Sequence, residues 1–371
     1  MPAMHLYIHV PFCARRCSYC DFAIAVRREV PSAAFVRAIE REWAGWQGHP
    51  AWDSSPGLDT VYFGGGTPSR LEADSIARLL DGFAAGRPLT ADAEVTLEAN
   101  PEDVTPAAAA AWRAAGINRI SLGAQSFAPN VLAWMHRTHD APAIGAAVAT
   151  LRSEGIENIS LDLIYALPDA LERDWAGDVE RALALEPAHL SLYGLTIEPR
   201  TPLGRWTARG ESVPAADERA AREYLDAHER LTARGFEHYE VSNAARPGFR
   251  ARHNAAYWRR APFIGLGPSA HSGFGASRSW NVREWEEYRR RSEAGEPVQA
   301  ESETLTPDQI SLEDLYLGLR TDCGVPAESV DPPVRRAWVV EGWAVPPGDR
   351  LVLTPEGWLR LDALVASLTH C

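Results

Sequence analysis

Three cysteines fall within eight residues, in the order Cys13-Ala-Arg-Arg-Cys17-Ser-Tyr-Cys20. Thiolates are soft ligands that suit iron–sulfur clusters and zinc rather than hard cations. Three are one short of the four that close a structural zinc site or complete an ordinary cluster, and the other two cysteines, Cys323 and Cys371, lie far along the chain. A [4Fe–4S] cluster on three cysteines keeps one iron open to a small molecule, so this spacing points to a metal position with room for a ligand. The competing assignment is a Cys3His zinc site with His9 as the fourth ligand. Cys323 and Cys371 read as structural or incidental thiols in a reducing compartment.

Two further stretches could carry chemistry. The run Gly64-Gly65-Gly66-Thr67-Pro68 lets backbone amides and carbonyls approach a ligand closely, although a plain tight turn would use the same residues. The segment Arg252-His253-Asn254-Ala-Ala-Tyr257-Trp258-Arg259-Arg260 follows Arg246 and Arg250. Imidazole is an axial ligand for heme iron, large aromatics stack on a porphyrin face, and guanidinium groups pair with propionates. The alternative is a hydrogen-bonded core histidine among packed aromatics. Downstream, the turn from Gly265 to Ser272 adds His271 as a second heme-side imidazole.

The elements that must hold these groups alternate. The run Leu6-Tyr-Ile-His-Val-Pro-Phe12 reads as a strand that delivers the cysteines onto a loop at its C-terminal end. Phe35, Ile39 and Trp43 then recur with helical spacing within 31–47. Further strands are expected at 59–63, 94–97, 119–122, 159–164 and 189–193, with helices near 73–84, 105–115, 141–154 and 173–185. Six strand–helix repeats imply a parallel sheet, because short loops cannot join parallel strands without a crossover. In such folds ligands gather at the C-terminal ends of the strands. The cysteine loop, the glycine run, Glu98 with Asn100, Gln125, and Asp162 with Tyr165 all fall there. Helix capping is the competing role for Glu98 and Asp162. A polar connector with a helix at 216–233 follows, and from about 300 the chain turns to short helices at 307–319, 326–341 and 356–368 around a small strand at 351–353. We expect that last part to act as a lid or docking module.

The 371 residues carry a formal charge of −13, with 46% hydrophobic and 23% charged residues, which is ordinary globular composition and weighs against a phosphate-tracking nucleic-acid binder. No run of 18 apolar residues occurs, so a cytoplasmic location is expected.

The CxxxCxxC triad after an N-terminal strand resembles the radical S-adenosylmethionine (SAM) superfamily. Matching positions include Gly64–Pro68, Glu98-Ala-Asn100-Pro101, Asn118–Phe127, Arg137, Asp162 within Leu161–Pro168, Tyr7 and Tyr19. With these the chain resembles, over nearly its whole length, the subfamily of oxygen-independent coproporphyrinogen III oxidases and HemW-type heme chaperones. The stretch from His253 to Trp258 is similar to the HNxxYW motif of the chaperones.

The resemblance implies an α/β fold: an open (β/α)6 radical SAM partial barrel over 1–235, a barrel-closing segment over 236–300, and a small helical, winged-helix-like C-terminal domain over 301–371. It implies Cys13, Cys17 and Cys20 as [4Fe–4S] ligands, Tyr7, Tyr19, Gly65, Gly66, Thr67, Glu98, Gln125, Arg137 and Asp162 around SAM, and His253 at heme. In this superfamily SAM chelates the open iron, and an electron from the cluster can cleave it to a 5′-deoxyadenosyl radical. The oxidases carry a fourth cysteine two positions after the triad, where this chain has Asp21-Phe22, and an N-terminal arm before the first strand. Both departures favour a heme chaperone that hands heme to acceptor apoproteins. The oxidative decarboxylation of coproporphyrinogen III is the alternative, so whether the chain is an enzyme stays open. The acidic balance disfavours a third class, RNA-modifying radical enzymes. The partners implied are heme, heme-accepting proteins, an electron donor where the radical is generated, no nucleic acid, and transient membrane association.

Overall fold

The computed structural model describes residues 4–50, 57–346 and 348–368, so the expectation for Cys371 lies outside the described residues. Six parallel strands form its centre: β1 (Met4–Val10), β2 (Leu58–Gly65), β3 (Leu89–Ala99), β4 (Arg119–Gln125), β5 (Asn158–Tyr165) and β6 (His189–Gly194). They pair in chain order, each parallel to the next. Helices return the chain between them: α1 (Ser32–Trp46), α2 (Ala73–Gly86), α3 (Pro106–Ala115), a short α4 (Pro129–Trp134), α5 (Ala141–Ser153) and α6 (Trp175–Ala184). All six strands occur where the alternation expects them. β1 is buried at every position but Tyr7, as a strand covered on both faces must be. The helical stripe Phe35, Ile39 and Trp43 faces that core, and Thr105 and Asp140 cap α3 and α5 by accepting backbone N–H bonds.

The sheet continues at both edges. Beyond β6 come α7 (Pro202–Ala208), α8 (Asp217–Ala233), β7 (Glu237–Glu240) and β8 (Asn243–Ala245), with β8 antiparallel to β6. The HNxxYW stretch forms α9 (Arg252–Trp258), whose first amides donate to the Glu94 carboxylate of β3. Beside β1 lies β9 (Phe263–Leu266), parallel to it, followed by antiparallel β10 (His271–Phe274), β11 (Ser277–Asn281) and β12 (Gln299–Thr304), with α10 (Trp285–Ala294) between the last two. Among the described residues the result is one twelve-stranded, linear sheet running β12-β11-β10-β9-β1-β2-β3-β4-β5-β6-β8-β7. The six-strand barrel expected is its parallel middle. Gly265 permits the β9–β10 approach, because a Cβ there would lie 2.1 Å from the His271 carbonyl oxygen.

The C-terminal part opens with α11 (Pro307–Leu319), which carries a capping box at Thr306 and Gln309. It has its own core of Leu319, Val325, Trp338, Leu351, Trp358, Leu361 and Leu364, which also takes in Tyr224 of α8. The helix expected over 326–341 begins only at Pro332, because the residue before a proline avoids helical backbone angles. The one expected over 356–368 is split into Pro355–Trp358 and Leu361–Leu368.

Candidate functional site

A cavity of about 610 Å³ opens where the parallel strands end. Its wall includes Cys13, Cys17, Tyr19, Cys20, Gly65, Gly66, Thr67, Glu98, Gln125, Arg137 and Asp162, eleven of the residues that the sequence singled out. Tyr7 and His253 are not among its lining.

The glycine run is required sterically. Gly65 has φ +113°, and a Cβ on Gly66 would sit 2.7–2.9 Å from backbone atoms of Val10 and Pro11. Here Gly66 N–H donates to the Val10 carbonyl at 2.8 Å, joining the end of β1 to the turn after β2. Thr67 then places its hydroxyl 3.4 Å from the Cys13 sulfur.

Glu98 does not cap a helix. Its two oxygens accept from Tyr62 Oη at 2.9 Å and from Gly65 N–H at 3.0 Å. Burial pushes this carboxyl up to about 7. Asp162 accepts from Ser121 at 3.0 Å and from Ser160 at 3.3 Å, and burial raises it too. Both carboxyls are therefore held at strand ends by neighbouring strands, where Glu98 lies level with Ser121 and Asp162 with Ser191.

Arg137 is built into the floor. One nitrogen donates to Asn100 Oδ1 at 2.6 Å and to the Gly123 carbonyl at 2.9 Å, while the other lies 3.8 Å from the Cys17 sulfur. Its Nε is buried without a hydrogen-bond partner among the described residues. Burial opposes the cation, yet Tyr19, Cys17 and Glu102 raise its affinity for the proton. Gln125 adopts φ +65°, a strained backbone for a non-glycine residue and one that clusters at ligand sites.

The donor set fits an iron–sulfur cluster with SAM. Three thiols line one wall, burial raises the Cys13 thiol and takes the Cys20 thiol up to about 11, and a cluster would overturn that by holding them as thiolates beside the Arg137 cation. Among the described residues no three Cys, His, Asp or Glu side chains converge tightly enough for a single ion. The zinc assignment fails at His9, whose Nε2 donates to the Ala23 carbonyl at 2.8 Å while Nδ1 takes the Tyr7 hydroxyl at 3.1 Å. Neither nitrogen has a lone pair left for metal.

A second cavity, about 420 Å³, lies on the other side of Gly65 and Glu98, which line both. Tyr7, His9, Phe22, Tyr257, Phe263, His271 and Arg283 contribute to it. His253 sits one layer behind this wall. Its ring stacks on Tyr62 (5.0 Å, 27°), Nδ1 lies 2.6 Å from Thr60 Oγ1, and Nε2 lies 2.9 Å from the Tyr257 hydroxyl. Burial keeps it neutral, far below the ordinary imidazole range. The arginines expected to meet propionates are engaged elsewhere. Arg250 pairs with Glu237 and Asp322, Arg252 with Asp59 and Asp92, Arg260 with Glu313 and Asp314, and Arg246 stacks on Phe236. Trp258 lies under Arg320 at 4.4 Å, fastening α9 to the C-terminal part. Among the described residues that part lines neither cavity and forms no lid over them in this structure.

Sequence reasoning missed Ser121, Tyr193, Phe22 and Arg283. The strand-end rule would have found Ser121 and Tyr193. No sequence signal links Arg283 to a cavity whose other residues lie as far away as Tyr7.

Residues 7–182 match the model of the Radical SAM superfamily. The heme chaperone HemW of Mycobacterium tuberculosis is 38% identical over 366 residues, covering 98% of this chain and 94% of that protein. The heme chaperone HemW of Synechocystis is 39% identical over 331 residues, 86% of this chain and 78% of its own length. Among solved structures, the coproporphyrinogen III oxidase HemN of Escherichia coli shares the fold, with a TM-score of 0.81 at 21% identity over 98% of this chain and 89% of that one.

Proposed function

Because this chain belongs to the HemW family of the radical SAM superfamily, we propose that it is a heme chaperone: it carries a SAM-liganded [4Fe–4S] cluster, binds heme and delivers it to acceptor apoproteins. The observation that carries the proposal is the pair of cavities divided by Gly65 and Glu98, one lined by thiols and polar groups and the other largely aromatic. Cys13, Cys17 and Cys20 hold the cluster. Gly65, Gly66 and Thr67 offer backbone and hydroxyl contacts to the amino-acid end of SAM, Arg137 its cationic edge, and Glu98 and Asp162 acceptors for ribose hydroxyls. Tyr19 and Gln125 complete that wall, and Tyr7 lies against Gly64 at its back. When bound, cluster and SAM supply one-electron chemistry, which requires an outside electron donor.

The same proposal divides the chain at 1–235, 236–300 and 301–371 and locates it in the cytoplasm. No helix among the described residues is long and apolar enough to cross a membrane. Phe22 stands where the related oxidases have a fourth cysteine, which favours carriage over decarboxylation.

The test is anaerobic reconstitution with iron and sulfide, a hemin titration followed in the Soret region, transfer to an apo-hemoprotein, and a coproporphyrinogen assay on the same sample. Stoichiometric hemin binding and transfer without protoporphyrinogen formation is expected. Turnover of coproporphyrinogen without stable hemin binding would make the chain an oxidase.

A further inference from the structure

We propose that heme is held in the second cavity with His271, not His253, as its axial ligand and Arg283 as its propionate partner; this rests on the heme-chaperone proposal above. The cavity, about 420 Å³, has the size of a small-molecule site and one largely aromatic wall of Tyr7, Tyr257 and Phe263. A flat apolar macrocycle with two carboxylates and an iron needs three things: aromatic surface, an imidazole with a free nitrogen, and an unspent cation. The cavity offers all three.

His271 is exposed, and neither of its ring nitrogens is hydrogen-bonded among the described residues. Its ring stacks on Trp280, its partner across the β10–β11 ladder, at 5.6 Å and 27°, which fixes its plane without consuming a nitrogen. The turn that aims it includes Ser269 at φ +62°, a strained conformation retained beside the cavity it lines. Although its edge is open to solvent, partial desolvation against the wall and the nearby Arg278 cation lower its proton affinity, which favours the neutral ring that binds iron.

Arg283 has no carboxylate partner among the described residues and is tethered by one bond to the Asp21 carbonyl at 2.9 Å. It therefore differs from Arg250, Arg252 and Arg260, all of which are paired. Phe22, 66% exposed, borders both cavities and leaves a phenyl ring free to cover a bound macrocycle. His253 acts through Tyr257 and Tyr62 as a positioning residue for this wall.

The experiment uses the full-length reconstituted protein, titrated with hemin and followed by absorption and electron paramagnetic resonance. His271→Ala is expected to lose the imidazole-ligated ferric spectrum, to bind hemin roughly tenfold more weakly or worse, and to regain the spectrum with free imidazole. His253→Ala should bind more weakly but keep imidazole ligation. Arg283→Glu should weaken hemin yet bind the propionate dimethyl ester like wild type. An unchanged spectrum in His271→Ala, or loss of ligation with imidazole rescue in His253→Ala, overturns the assignment while leaving the chaperone proposal standing. Failure of the wild type to bind hemin at all overturns both.

Discussion

The cluster cavity and the HNxxYW region were both chosen for their chemistry, and the fold treats them in opposite ways. In the first, eleven singled-out residues from four strand ends, the cysteine loop and the turn after α4 face one space. In the second, the imidazole is buried and bonded to Thr60 and Tyr257, while the part-exposed guanidinium groups of Arg250 and Arg252 are paired with Asp59, Glu237 and Asp322. A dense run of ligand-like residues is thus a poor guide unless the topology brings it to a strand end. Polar groups buried in a wall must be hydrogen-bonded, and what is hydrogen-bonded is no longer free to ligate.

The comparison can be broken most severely at the cysteines. Cys17→Ala is expected to abolish cluster assembly, read as loss of bound iron and sulfide, while the fold and the hemin spectrum persist; loss of hemin ligation together with the cluster would mean that the two regions form one site. Gly66→Ala forces a Cβ onto the backbone of Val10 and Pro11, which cannot yield as a side chain would. It should cost about 1–3 kcal/mol in urea denaturation of the cluster-free protein, and a wild-type midpoint would show that the turn is adaptable.

His253 sharpens the contrast through pH. Its folded-state affinity for the proton is depressed, so it stabilises the fold above the unfolded imidazole value near 6.5 and the contribution is lost as pH falls below it. His253→Gln should make the acid side of the stability curve shallower by up to about 1.4 kcal/mol per pH unit between roughly pH 6.5 and 5. An unaltered slope would place a proton on His253 in the folded state and remove the case for a neutral, fully bonded ring. The smallest effect is expected at Arg320→Lys, which keeps a cation near the buried Glu240 carboxylate but loses the planar guanidinium stacked over Trp258. It should cost roughly 0.5–1 kcal/mol and speed proteolysis between 305 and 320 without changing cluster content.

Much of the core was legible. The six strands, the helical stripe of Phe35, Ile39 and Trp43, and the convergence of Cys13, Glu98, Gln125 and Asp162 follow from local periodicity and the rule that parallel strands present their C-terminal ends together. The edges were not. β9 inserts beside β1 although more than 250 residues separate them, and antiparallel β10, β11 and β12 follow it. No local pattern specifies which distant strand fills an open edge.

The sequence by itself determined which atoms could bind iron and sulfide, because residue type and the spacing Cys13, Cys17, Cys20 on one loop need no tertiary information. It likewise determined that the strand-end residues would share a mouth, since alternating strands and helices admit few topologies. Only the tertiary structure decided that His253 would be bonded on both nitrogens while His271 and Arg283 kept theirs available. A side chain's freedom depends on partners brought from anywhere in the chain: Thr60 lies 193 residues from His253, and that pairing exists only once the sheet has formed.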